Sequence, residues 1–213
     1  MREEVLPPGR RRVLDELERV EQPELKGWTL AGGTGLALLL GHRVSEDFDF
    51  FRVDPIDLQA LHGVFRKIGK YETLQDEKRT LTVQLREAML SFFVIGDPFI
   101  FPAAPYRFFS VADIRDIALM KIVAISGRGS RKDFVDLYRI LQEGLTLPEC
   151  WEMFPRKYGG GRGNRYHILK SLTWFEDAEK EPIPRMLEPF DWDACKAFFL
   201  SESKKLIAIG GLQ

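Results

Sequence analysis

Asp47 and Asp49 stand one residue apart in the run LAGGTGLALLLGHRVSEDFDFF, Leu30 to Phe51. On a strand, side chains at i and i+2 share a face, so both carboxylates would project together while Phe48 and Phe50 turn to the opposite, core-facing side. Two anions that close repel unless something neutralises them. A divalent cation does so directly, since Mg²⁺ favours one or two carboxylates plus substrate phosphates over a full protein cage. Upstream, Gly32 and Gly33 end a short apolar segment, and Thr34 is able to cap the helix that follows. Backbone N–H groups at such a helix start suit a phosphate. A phosphate cradle and a metal pair thus fall on consecutive elements of one strand, helix, strand unit. Taken singly, each half has a plainer reading: the glycines fit a bare strand-to-helix turn, and SEDFD fits an acidic surface turn with no metal. The chain has no GxxxxGK[ST] loop, and GTGLAL lacks the third glycine of the dinucleotide fingerprint.

The positioning elements follow from periodicity. Val13 to Val20 reads as a short charged helix, GWTLAGG as a brief strand, and Thr34 to Leu40 as a helix stopped by Gly41. FDFFRV alternates as a strand, and Pro55 to Ile68 has helical spacing. YETLQ, TLTVQL and MLSFFVI read as an antiparallel set. Ser110 with Asp113 resembles a capping box opening a helix to about Ser126. GRGS breaks that helix, and RKDFVDLYRILQ begins another with Phe134, Leu137, Tyr138 and Leu141 on one stripe. Strands dominate the first half and helices the second, so the predicted class is α+β, with a sheet core over residues 1–105 and a helical region over 106–213.

Composition narrows the partners. Lys plus Arg (31) nearly balances Asp plus Glu (32), a formal net charge of −1, so a polyanion must be met locally. No stretch approaches the roughly 20 apolar residues of a membrane span, and the start, MREEVLPPGRRR, has no apolar leader; the expectation is a cytoplasmic protein. Cys150 and Cys195 have no CxxC and no adjacent histidine, as for reduced packing cysteines. One local concentration stands out. Between Phe154 and Phe175 there is no acidic residue, while Arg156, Lys157, Arg162, Arg165 and Lys170 interleave with Tyr158, Tyr166 and Trp174 around GGGRG. A basic, aromatic, flexible segment suits an RNA backbone with unstacked ends, although a glycine-rich link between helices is the bland alternative. His42, His62 and His167 are too scattered for a ligand set; His42 and Arg43 could reach a phosphate or face water from a loop.

Lys121 interrupts an apolar stripe formed by Ile114, Ile117, Ala118, Ala124 and Ile125. A buried ammonium needs a partner. A nucleotide triphosphate, a carboxylate such as Asp133 or Asp136, or escape of the charged head to solvent would each serve. Asp133 and Asp136 would otherwise be solvated first-turn residues favoured by the helix dipole.

The run GGTGLALLLGHRVSEDFDFF resembles the signature of DNA polymerase β-type nucleotidyltransferases, and specifically of the AbiEii/AbiGii-type toxin family. DIRDIALMKIVAISGRGSRKDFVDLYRIL is similar to that family's helical motifs, and LTWFEDAEKEPIPRMLEPFDWDACKAFF to its closing segment, so the resemblance spans about Leu30 to Phe199. It implies a mixed sheet flanked by helices with a mainly helical second half. It also implies transfer of a nucleotidyl group from an NTP to an acceptor hydroxyl, with Mg²⁺ or Mn²⁺ held by Asp47 and Asp49. Gly32, Gly33 and Thr34 would hold phosphates, Lys121 and Asp133 would be catalytic, and Lys132 and Asp136 would bind nucleotide. The resemblance further implies an RNA acceptor, the tRNA 3′ end, met by Arg156, Lys157, Arg162 and Arg165, and a cognate antitoxin protein. A small-molecule or protein acceptor and a catalytically weak nucleotide-binding module are the alternatives. One departure keeps the last alive: a third carboxylate is usual on a neighbouring strand, and Ser91 occupies the best-matched place, with Glu87 and Asp97 as possible substitutes.

Overall fold

The computed structural model describes residues 1–55, 57–159 and 164–208, so Arg162 lies outside the described residues. The chain divides into two compact units, Met1–Asp113 and Ile114–Gln213.

In the first unit, helix α1 (Pro8–Arg19) opens with Pro8 just after Pro7, where a missing N–H costs nothing, and buries Val13, Leu14 and Leu17. Strand β1 (Thr29–Ala31) leads straight into α2 (Gly32–Leu40), which ends where Gly41 adopts φ 74°. Strand β2 (Phe48–Arg52) follows. In α3 (Leu58–Ile68) the Asp57 carboxylate accepts from the N–H groups of Gln59 and Ala60. Then come β3 (Tyr71–Glu77), β4 (Thr80–Leu85), β5 (Ala88–Val94), β6 (Ala104–Tyr106) and β7 (Phe109–Val111). Together the described strands form one seven-stranded sheet of order β3-β4-β5-β2-β1-β7-β6. It is mixed: β2 runs antiparallel to β1 and parallel to β5, and β1 runs parallel to β7.

The three predicted antiparallel strands are present, and so is the helix expected to reach about Ser126, but it spans Ile114–Gly127 and does not start at Ser110. Ser110 lies in β7, in register with Thr29, and its N–H donates to the Trp28 carbonyl at 3.0 Å. Without β7, β1 would present an unpaired row of backbone groups, and ladder bonds that satisfy it outweigh one local cap. The sheet therefore runs past the expected boundary near residue 105: β6 spans it, and β7 lies beyond it.

The core gathers on the Phe48/Phe50 face. Phe50 and Phe92 stack at 5.1 Å, Trp28 meets Phe92 edge-on at 4.9 Å, and Leu14, Leu17, Val64 and Phe65 pack over them. Burying a side chain such as Phe50 contributes roughly 1.5–3 kcal/mol, enough to fix the strand's facing, since a one-residue slip would expose the phenylalanines and bury the aspartates.

The second unit is helical: α4 (Ile114–Gly127), α5 (Arg131–Gln142), α6 (Leu147–Tyr158), α7 (Arg165–Ser171), α8 (Glu176–Glu179) and α9 (Trp192–Ala208). Phe134 of α5 anchors it, 5.1 Å from Phe175 and 5.4 Å from Phe199. Cys150 and Cys195 are both buried and unbridged, and burial pushes each thiol up to about 12. A disulfide reagent at neutral pH should modify them about 100- to 1,000-fold more slowly in the native protein than in denaturant, because the thiolate is the reactive form. Rapid native labelling of either thiol would contradict this packing.

Candidate active site

The β1–α2–β2 unit brings the glycines and aspartates together. Asp49 is in register with Ala31 on β1 and with Ser91 on β5. Asp47 stands one residue ahead of β2, on Asp49's face, and both are half-buried while Phe48 and Phe50 are fully enclosed.

The glycine pair has a steric role that spacing alone does not reveal. Gly32 adopts φ 64°, and a Cβ there would lie 2.9 Å from Asp49 Oδ2. A Cβ on Gly33 would lie 2.3 Å from Nη2 of Arg43 and 3.5 Å from the Ser45 hydroxyl. The missing side chains are thus what let a carboxylate and a guanidinium close onto the first turn of α2. Arg43 is only 5% exposed and His42 is fully buried, so neither is a water-facing loop residue. Arg43 Nη1 also donates to the Val44 carbonyl at 3.0 Å.

Thr34 is placed differently from expectation. The cap position of α2 is Ala31, with no side-chain cap. The helix begins at Gly32 because its left-handed backbone turns the chain directly out of β1. Thr34 is therefore inside the first turn, where its hydroxyl bonds Ser45 Oγ at 2.7 Å and donates to the Asp47 carbonyl. It ties α2 to the segment that delivers Asp47. The first-turn N–H groups, which have no intrahelical partner, are what remains to meet an anion.

Two carboxylates on one strand face, beside a helix N-terminus and a buried guanidinium, fit Mg²⁺ with substrate phosphates: the donors are hard oxygens and too few for a closed cage. Among the described residues no third His, Cys, Asp or Glu joins them. Ser91 does fill the register position beside Asp49; it is buried and accepts from Thr82 Oγ1 at 3.3 Å. The Glu87 carboxylate lies against Gly9 and pairs with Arg10 and Arg12, each at 3.6 Å. Asp97 follows the far end of β5, six residues beyond Ser91, or up to about 20 Å of extended chain.

Gly32→Ala should lose about 1–2 kcal/mol of stability, because an L-residue resists that backbone. Gly33→Ala should cost less stability yet weaken NTP binding about tenfold by displacing Arg43. Urea unfolding and nucleotide titration separate the two effects, and unchanged values for both variants would show that the glycines are incidental.

In the second unit, Lys121 is 4% exposed and its ammonium lies 2.9 Å from Asp133 Oδ1 and 2.6 Å from Asp136 Oδ2. Of the partners open to it, carboxylates are the ones seen. Arg128 completes the cluster, its Nε 2.7 Å from Asp133 Oδ2 and its Nη2 2.9 Å from Oδ1. Burial alone would raise the Asp133 carboxyl, but the Arg128 hydrogen bonds and the Lys121 charge hold it below the usual range. Asp133 and Asp136 are fully buried, which overturns the solvated first-turn alternative; Lys132 beside them is exposed.

The basic segment is only partly a surface. Lys157 is buried and donates to Asp116 Oδ1 at 2.7 Å, clamping α6 to α4, so it is withdrawn from the RNA-facing set: a desolvated ammonium needs that carboxylate. Asp116 gave no such signal in sequence, lying 41 residues from its partner. Arg165 is half-buried, its guanidinium 4.9 Å over the Trp151 ring, and Arg156 is exposed.

An Asp-x-Asp strand at the middle of a mixed sheet, facing a glycine-opened helix start, is the architecture of a nucleotidyltransferase. The fold is similar to that of MenT4, a nucleotidyltransferase toxin from Mycobacterium tuberculosis (TM-score 0.58, 15% identity, 92% of this chain and 82% of that one). It is also similar to a putative nucleotidyltransferase from H. pylori (TM-score 0.51, 15% identity, 93% and 96%). The family described as nucleotidyl transferase AbiEii toxin, type IV TA system, matches residues 12–206. The chain belongs to that family and is an enzyme of nucleotidyl transfer. An uncharacterized protein of Aquifex aeolicus is 35% identical over 184 residues, 84% of this chain and 87% of the relative.

Proposed function

We propose that the protein transfers a nucleotidyl group from an NTP to an acceptor hydroxyl on RNA, a tRNA 3′ end, as the toxin partner of a cognate antitoxin in the cytoplasm. The single observation carrying the chemistry is the convergence of Asp47, Asp49 and Arg43 on the glycine-opened start of α2. The RNA acceptor is supported by the basic, aromatic stretch with exposed Arg156, Lys170, Tyr166 and Trp174. Among the described residues no helix is long and apolar enough to cross a membrane.

Asp47 and Asp49 would hold the divalent cation, which would supply positive charge at the phosphates and lower the pKa of the attacking hydroxyl. The first-turn N–H groups of α2 and the Arg43 guanidinium orient the β,γ-phosphates and stabilise charge as it develops on them. The acceptor oxygen bonds to the α-phosphorus, the α–β phosphoanhydride breaks, pyrophosphate leaves, and the hydroxyl proton passes to solvent. Positioning and electrostatics supply most of the acceleration.

The test is incubation of the protein with Mg²⁺, total cellular RNA and each α-labelled NTP in turn. Label on RNA identifies the nucleotide and the acceptor class; a folded protein that binds NTP but labels no RNA removes the RNA reading. Ser91 in the third-carboxylate position specifically favours a second reading, a catalytically weak nucleotide-binding module. That reading expects Mg²⁺-dependent NTP binding without turnover on any acceptor.

A further inference from the structure

The second unit contains a cavity of about 270 Å³ where the end of α4 meets α7 and α8. Its wall includes Arg128, Gly129, His167, Lys170, Trp174 and Asp177. The volume lies just below the roughly 300–1,000 Å³ of typical small-ligand sites, which suits one nucleotide rather than a folded element.

The wall is built for a mixed ligand. Trp174 is 53% exposed, a large indole left at the surface beside Lys170, also exposed. Arg128 is 59% exposed on its side chain, yet its Nε and Nη2 are pinned to Asp133, so the guanidinium is oriented before any ligand arrives. Gly129, at φ 60°, brings the turn close to Asp177, whose Cβ lies 4.0 Å from where a Cβ on the glycine would stand. His167 Nε2 donates to the Ser126 carbonyl at 3.0 Å, fixing the ring in the wall.

An inorganic anion would gain nothing from the indole and nothing from the Asp177 carboxylate, which is already paired with Lys180 at 2.9 Å. An apolar ligand would desolvate two cations without recompense. A nucleotide unit satisfies all three features: its base stacks on an aromatic plane, its phosphate takes the cations, and the donor groups of its base edge can reach a carboxylate. We infer that this pocket seats one unstacked nucleotide of a single-stranded RNA acceptor, with the base on Trp174 and the phosphate between Arg128 and Lys170. The inference rests on the RNA reading above and adds where the strand is gripped. A free mononucleotide offers the same chemistry, so the experiment separates the two sources.

The full-length protein is titrated into a fluorescent single-stranded RNA octamer in EDTA without NTP, so that neither metal nor turnover contributes. Trp174→Ala should weaken binding roughly 5- to 150-fold, the range for loss of one base stack, and Trp174→Phe should retain most of it. Lys170→Gln should weaken binding and lower the salt dependence by about one phosphate contact. Displacement of the octamer by millimolar AMP, CMP, GMP or UMP supports the same pocket chemistry. Unchanged affinity in Trp174→Ala and Lys170→Gln overturns the inference, as does binding of free mononucleotides without binding of RNA. Failure of the RNA reading looks different: Trp174-dependent RNA binding would persist while no RNA accepts label. Conversely, RNA labelled by Trp174→Ala with an unchanged KM for RNA would reject the pocket and leave the transferase standing.

Discussion

Asp47→Asn/Asp49→Asn is expected to lose nucleotidyl transfer by about 1,000-fold or more while folding normally. The amides keep the shape of the carboxylates but not their charge, and a metal's contribution to charge stabilisation is several kcal/mol, each 1.36 kcal/mol being a factor of ten in rate. Folding should be preserved because both side chains are half-buried on the face opposite the packed phenylalanines. Label transfer and thermal unfolding with and without Mg²⁺ are the measurements. The discriminating feature is the metal response: wild type should gain stability on adding Mg²⁺ with NTP, and the double variant should not. Equal rates in the two proteins would remove these carboxylates from the chemistry altogether.

Lys121→Met should be the most damaging change to stability, at about 3–5 kcal/mol. Methionine fills the same space among Ile117, Ala118 and Ile125, so the loss is electrostatic: Asp133 and Asp136 would lose the buried ammonium that they share. With total stabilities of about 5–15 kcal/mol, that brings a domain near the edge of folding. Adding Asp136→Leu should recover a large part of the loss, since an apolar replacement of a buried charge set is often close to neutral. The pH dependence has a definite sign. Asp133 is depressed in the folded state, so its stabilisation is present above the unfolded carboxyl pKa near 4 and disappears as pH falls below it. The gap between wild type and Lys121→Met should therefore narrow below about pH 4. Urea midpoints across pH 3 to 7 test this; a pH-independent difference under 1 kcal/mol would mean the cluster does not carry the unit.

Legibility tracked how local the information was. Phe48 and Phe50 alternate with Asp47 and Asp49 in the letters themselves, so the facing of β2 could be read with no knowledge of its neighbours. Gly41 marked the end of α2 for the same reason. Ser110 misled because a Ser and an Asp three residues apart are equally compatible with a cap and with the end of a strand; the choice was made by β1, some eighty residues upstream, which needed a hydrogen-bonding partner. Lys157 misled in the same way, since nothing near it in sequence advertises Asp116. The glycines were legible as a turn, but their closeness to Asp49 and Arg43 depends on side chains folding back across α2. A run reading "GGT…HR" contains the participants and not the distances. Arg43 could have been ranked higher from one clue, a cation placed between an apolar helix and an Asp pair.

The contiguity of the β1–α2–β2 unit has a consequence for heredity. Every first-unit residue assigned to metal and phosphate lies between Gly32 and Asp49, within one short piece of coding sequence. A recombination joint falling anywhere outside that piece passes the set on whole or not at all. The pocket lined by Arg128, Lys170 and Trp174 is encoded separately, well downstream, in the other compact unit. Exchange of the second unit would thus replace the proposed strand grip together with Lys121, Asp133 and Asp136, while the Gly32–Asp49 set stays whole.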